Sequence, residues 1–250
     1  QVEVHEHSEH AHEDHHELGF IRKYIFSEDH KVIAKQYLIS GIVWALLGAF
    51  MSLVFRLQLG FPDMDMAWMK PFLGDWISLD DKGLGKLDPN FYLALVTMHG
   101  TIMVFFVLTA GLSGTFSNFL IPLQIGARDM ASGFMNMLSY WIFFISSVIM
   151  FVSLFIKTGP AGGSWVIYPP LSALKEANPG SGDGMTLWLV SMALFIVSSL
   201  LGGINYVTTV INLRTKGMSM DKLPLTIWAF TLQLFWVFCL SLYYYQLLCC

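Results

Sequence analysis

FYLALVTMHGTIMVFFVLTAGLSGTFSNFLIPLQ, from Phe91 to Gln124, runs without a single Asp, Glu, Lys or Arg. A helix needs ~20 apolar residues to cross ~30 Å of hydrocarbon. This run exceeds that length, which implies tilt or extension past the bilayer. Four more apolar stretches share its character: Gln36 to Leu57 (with Arg56 its one charge), Phe134 to Ile156, Met185 to Leu213, and Pro224 to Cys250. Runs this long are helices rather than barrel strands, because backbone groups in lipid need partners within their own segment. The whole chain agrees: 55% of its 250 residues are hydrophobic and only 13% charged, where a soluble domain carries about a quarter. The fold class expected is an all-α integral membrane protein. Its five spanning helices fall at about 36–57, 91–121, 134–156, 185–213 and 224–248. They form one membrane domain, 21–250, after a tail at 1–20.

Composition also excludes. A net charge of −4 with no basic stripe argues against a nucleic-acid partner. Cys239, Cys249 and Cys250 have neither metal-ligand spacing nor the pattern of a disulfide framework. No secretory signal is visible ahead of the first span. The tail, HEHSEHAHEDHHE from His5 to Glu17, holds six of the eight histidines among carboxylates. Such a segment either loosely binds copper or zinc or is a solvated, disordered stretch with nothing to form a core. No spacing fixes a geometry, which favours the second reading.

Basic residues orient the spans. Arg22, Lys23, Lys31 and Lys35 precede the first, and Arg214 to Lys222 is basic again, with Arg128 in the short second connection. The first connection is acidic and the third, Lys157 to Gly184, is nearly neutral. The alternation predicts a cytoplasmic N-terminus and a multi-pass protein of a bacterial-type inner membrane.

Within the spans stands one histidine, His99. An ionisable residue at membrane depth is costly and suggests function. A neutral imidazole with a free nitrogen ligates heme iron, and one hydrogen-bonded to a neighbouring helix is simply core. Isolation alone does not choose. His99 lies about eight residues into its helix, ~12 Å deep at 1.5 Å per residue. Arg56 at the end of the first span either snorkels to headgroups or meets a cofactor. Trp165 and Tyr168, in GGSWVIYPP, are either belt aromatics or a cover over a cofactor's polar edge. Asp129 reads on its own as a solvated loop carboxylate paired with its neighbour Arg128.

These residues sit in recognisable blocks. MHGTIMVFF (Met98 to Phe106) is similar to the second-helix motif of subunit I of heme-copper terminal oxidases, the cytochrome c oxidase family. FSNFLIPLQIGARDMA (Phe116 to Ala131), WVIYPPL (Trp165 to Leu171), SSLLGGINYVTTVINL (Ser198 to Leu213) and RLQLG (Arg56 to Gly60) resemble its other blocks in order and spacing. The resemblance, from about Arg22 to Trp228, implies the N-terminal part of a twelve-helix bundle. By position it makes His99 an axial ligand of low-spin heme a. It puts Arg56 on the heme formyl group, and Trp165 and Tyr168 beside the propionates. Asp129 would open a proton-uptake path lined by Asn118, Asn136, Ser198, Ser199 and Asn205.

The implied function is electron transfer from cytochrome c through low-spin heme a to an oxygen-reducing heme–copper pair, with proton pumping. A quinol oxidase of the same superfamily and a non-catalytic membrane subunit are the alternatives. The implied partners are a copper-bearing subunit II, subunit III, a respiratory donor (possibly within a supercomplex) and the lipid bilayer. Arg128, Met137, Val166 and Ala193 depart from the family's usual Pro, Asn, Thr and His. After Trp228 the quoted blocks stop, and the motifs that ligate the oxygen-binding heme and its copper are not among these residues.

Overall fold

The computed structural model describes residues 20–80, 83–156, 159–166 and 182–233, with 168, 174, 239 and 242 as isolated positions. Among them four helices are long and apolar enough to cross a membrane. They are α1 (His30–Gly60), α2 (Pro89–Ile125), α3 (Gly133–Ser153) and α4 (Asp183–Asn212). A further helix covers 225–233. The rest of the expected fifth span lies outside the described residues, as does the His-rich tail up to 19.

Each helix begins where its sequence supplies a cap. Asp29 takes the Lys31 amide at 2.8 Å and starts α1 at His30, ahead of the expected Gln36. The apolar run marks only what lies in lipid, whereas the cap decides where the helix starts. Asp88 accepts from the amides of Asn90 and Phe91, with Pro89 preset at the first turn of α2. Ser132 caps α3 through the Met135 amide. Gly126 ends α2 in the left-handed region at φ 74°, which a residue without a Cβ adopts freely. The middle of α2, Ile102–Leu112, is wound as a π-helix.

Between α1 and α2 a small antiparallel hairpin pairs Ile77–Leu79 with Gly85–Leu87, the only sheet among the described residues. Asp65 fastens it by accepting from the Ala67 and Gly85 amides at 2.9 and 2.8 Å. Those two N–H groups, Ala67 first, hold its carboxyl below the ordinary aspartate range.

Polarity in the bundle runs opposite to that of a soluble fold. Ile39, Val43, Leu46 and Leu53 on α1 are exposed, while Ser117, Asn118, Asn136, Ser146 and Ser191 are fully buried. In lipid, helices are held by close packing and interhelical hydrogen bonds rather than by a hydrophobic drive. α3 and α4 are pinned by a reciprocal pair: Ser146 Oγ donates to the Ser191 carbonyl and Ser191 Oγ to the Ser146 carbonyl, both at 2.7 Å. Phe106, Phe143, Phe195 and Trp188 fill the centre.

α1 and α2 meet backbone to backbone at Gly41 and Gly111. A Cβ on Gly111 would stand 2.9 Å from the Gly41 Cα and 3.1 Å from the Phe106 carbonyl oxygen. Neither is a side chain that can swing aside. Gly111→Ala should therefore lower the stability of the detergent-solubilised protein by ~1–3 kcal/mol, the usual cost of overpacking, read from thermal unfolding. Gly60→Ala is the control, since nothing lies within 4 Å of its Cβ position.

Candidate functional site

His99 sits in the first, α-helical part of α2, three residues before the π-wound stretch begins at Ile102. Its Nδ1 lies 2.9 Å from the Gly48 carbonyl oxygen on α1. A carbonyl only accepts, so Nδ1 carries the proton. Nε2 is left with its lone pair and has no protein partner among the described residues. Metal-ligating imidazoles are oriented in the same way, one nitrogen donating to a carbonyl and the other free for the metal. The ring stands edge-on to Phe55 at 5.5 Å. These features fit a heme iron ligand.

The loop after α3 folds against α2 at the same level. The Ser164 amide donates to Thr97 Oγ1 at 3.1 Å, with Ser164 in the left-handed region at φ 64°. Trp165 comes within 4.0 Å of the Cβ position of Gly100 and stacks obliquely on Phe105 at 6.1 Å. Trp165 is thus packed against α2 at Gly100, the residue after His99. Tyr168 is exposed. Arg56 lies on α1 beyond Phe55, exposed and without an ion pair among the described residues.

At the far end of α2 lies Asp129. Its partner is His30, Nδ1 to Oδ1 2.9 Å, and the Met130 amide donates to the same oxygen at 2.7 Å. The bland expectation had Arg128 as that partner; the α1 start at Asp29 brings in His30 instead. His30 is buried while Asp129 stays half exposed. The loop carrying Asp129 is held to α4: the Ala131 amide donates to Thr209 Oγ1 at 2.9 Å. Asn205 clasps the backbone of Ser132, accepting from its amide at 3.0 Å and donating to its carbonyl at 3.2 Å.

Inward from Asp129, polar side chains fill the interior. Asn136 is fully buried with neither amide atom partnered by protein, and Ser117 Oγ and Asn118 Oδ1 are likewise orphaned. Buried amides without protein partners cost ~1–3 kcal/mol unless water pairs with them, so this interior is built for water. Ser198 Oγ donates to the Ser139 carbonyl at 2.6 Å, and with Ser199 it borders a small cavity deeper in the bundle. Of the residues expected to line a path, Asn118 and Asn136 present free polar atoms, Ser198 and Ser199 face the cavity, and Asn205 is spent on Ser132.

Sequence reading missed His30, Tyr37, Ser139 and Tyr206. His30 stands among charges ahead of the first apolar run, although it shares a helix face with Tyr37 seven residues on. Replacing Asn205 by Ala leaves both backbone groups of Ser132 without their partner. It should destabilise the protein by ~1–3 kcal/mol in thermal unfolding, leaving a spectroscopic signature of His99 unchanged.

Comparison with known proteins bears on both ends. A family model described as cytochrome c and quinol oxidase polypeptide I matches residues 32–248, running past Trp228, where the quoted motifs stop. An alternative cytochrome c oxidase subunit 1 of Bradyrhizobium diazoefficiens is 40% identical over 213 residues, covering 85% of this chain and 33% of the relative. Cytochrome c oxidase subunit 1 of Cereibacter sphaeroides is 35% identical over 231 residues, 88% of this chain and 40% of the relative. That of Thermostichus vulcanus is 34% identical over 206 residues, 82% and 32%. The chain spans about a third of the length of the curated relatives it matches. The match over residues 32–248, with relatives 34–40% identical over more than four fifths of its length, makes this chain a member of the cytochrome c and quinol oxidase polypeptide I family, the heme-copper oxidases.

Proposed function

We propose that this chain acts within subunit I of a respiratory terminal oxidase, an enzyme that moves electrons from cytochrome c to oxygen and pumps protons. The observation that carries this is the state of His99, with Nδ1 committed to the Gly48 carbonyl and Nε2 open. His99 would hold the iron of low-spin heme a, with Arg56 at its formyl edge and Trp165 and Tyr168 towards its propionates. Bound there, the heme supplies a one-electron carrier between the donor and the oxygen-reducing heme–copper pair, whose ligands are not in this sequence. The Gly48 carbonyl fixes the ring's tautomer and turns it about its long axis.

Asp129 collects protons at the surface, with His30 holding its carboxylate at the mouth. Asn136, Asn118 and Ser117 line the way inward, and Ser198 and Ser199 continue it. The basic connections put this end in the cytoplasm and His99 towards the outer face of a bacterial-type inner membrane. A copper-bearing subunit II would deliver the electrons and subunit III would flank the bundle. The family description spans quinol as well as cytochrome c oxidases; the relatives' names favour cytochrome c.

In the complete oxidase, His99→Ala should abolish the low-spin signal in reduced-minus-oxidised spectra; an unchanged spectrum sinks the assignment. Arg56→Met should keep that heme and shift its absorption and midpoint, since it removes a charge-assisted hydrogen bond. Asp129→Asn should slow proton uptake on the order of a hundredfold, the scale of a positioned proton-transfer group, with the heme spectrum intact. Normal turnover and pumping in Asp129→Asn would reduce the residue to a surface charge.

A further inference from the structure

We infer that Tyr206 is a positioning residue of the inward path, holding a single water between the asparagines and the inner serines. This rests on the reading of Asp129 as the path's mouth. Tyr206 lies on α4, 4% exposed, its hydroxyl 3.6 Å from the Cβ position of Gly202 one turn back. That hydroxyl receives Asn118 Nδ2 at 3.3 Å, while the same nitrogen donates to the Gly114 carbonyl at 2.8 Å. Because the Gly114 carbonyl can only accept, the amide's nitrogen is fixed on that side. Both Asn118 N–H bonds are then used, and its Oδ1 is turned away as a free acceptor.

The proton of Tyr206 consequently needs another acceptor, either Ser117 Oγ beside it or a water on its other side. On the other side lies a cavity bordered by Tyr37, Ser113, Ser198, Ser199, Tyr206 and Gln233, about 20 Å³ in volume. One water needs ~10–15 Å³ on the same measure, so the cavity holds one.

Tyr37 faces it with the opposite polarity. Ser139 spends its only proton on the Asn136 carbonyl at 2.9 Å, so at the 3.1 Å contact between the two hydroxyls Tyr37 must be the donor. The Tyr37 oxygen keeps a lone pair for the cavity. With that water as the acceptor, Tyr206 donates to it and Tyr37 accepts from it. This closes an oriented chain from Asn118 through Tyr206, water, Tyr37 and Ser139 to the Asn136 backbone. Without the Tyr206 hydroxyl, Asn118 loses the partner for one N–H and the water loses its donor.

The test is Tyr206→Phe in the complete oxidase, measured beside Asp129→Asn. The ring and its packing remain, so heme spectra should match wild type, with thermal unfolding lowered only as far as one unpaired Asn118 N–H requires. Proton uptake should slow about tenfold, the size of one lost hydrogen bond. The alkaline limb of the turnover–pH profile should move to lower pH, because proton supply becomes limiting at higher proton concentration. Infrared spectra should lose the O–H stretch of one buried water. An unshifted pH profile and unchanged uptake in Tyr206→Phe, with Asp129→Asn blocked, would overturn this inference and spare the reading of Asp129. Normal uptake in Asp129→Asn would overturn both. A retained water band would also overturn it, whatever the kinetics.

Discussion

Hydrocarbon offers no hydrogen-bond partners, so every polar atom on these four helices must be paired inside the bundle or kept for something else. Most are paired. The serines of α3 and α4 donate to each other's carbonyls, and Thr97, Thr101 and Thr115 donate back along their own helix. Against that background the unpartnered buried atoms on the described helices are Gln36 Oε1, Trp141 Nε1, Ser117 Oγ, the Asn118 carbonyl and both amide atoms of Asn136, the last three residues lying inward of Asp129. Natural bundles leave such atoms only where water or a ligand reaches them.

Close approach of α1 and α2 is what brings both ends into register, and glycine makes it possible. At Gly41 and Gly111 the two backbones touch. Towards one end, Gly48 presents a carbonyl to His99 with only the flexible Met103 in the way of a larger residue. Towards the other, the absence of a Cβ on Gly114 makes room for the Tyr37 ring, which would lie 2.8 Å from it. α1 thus supplies a partner to each chemical end: Gly48 for His99, and His30 for Asp129.

Much of this was legible in the sequence. Long charge-free runs give the helices, and His99 stands out because nothing else ionisable of its kind lies in a span. Asp129, Asn118 and Asn136 were reachable through the family blocks. What stayed hidden depends on contacts between helices. The start of α1 is set by the side chain of Asp29, not by hydropathy, and that moved His30 from a charged fringe to a buried position hydrogen-bonded to half-exposed Asp129. Nothing in the sequence sets Tyr37 and Tyr206 apart from other aromatics of the spans, since a phenol's role rests on where its hydroxyl ends up. Asn205 shows the reverse: an amide that reads as path lining is occupied by the backbone of Ser132.

The π-wound middle of α2 ties these observations together. One residue is added per turn relative to an α-helix, so the faces before and after Ile102–Leu112 are phased independently. In a uniform α-helix the face that gives His99 to Gly48 would also fix the direction of Asn118, nineteen residues on. The wider stretch removes that constraint. α2 can then present an imidazole to α1 near one end and an amide to Tyr206 of α4 near the other. Such winding is less favourable than a regular helix and is found mostly where function demands it. Here it lets His99 and Asn118 turn to different neighbours without either setting the other's direction.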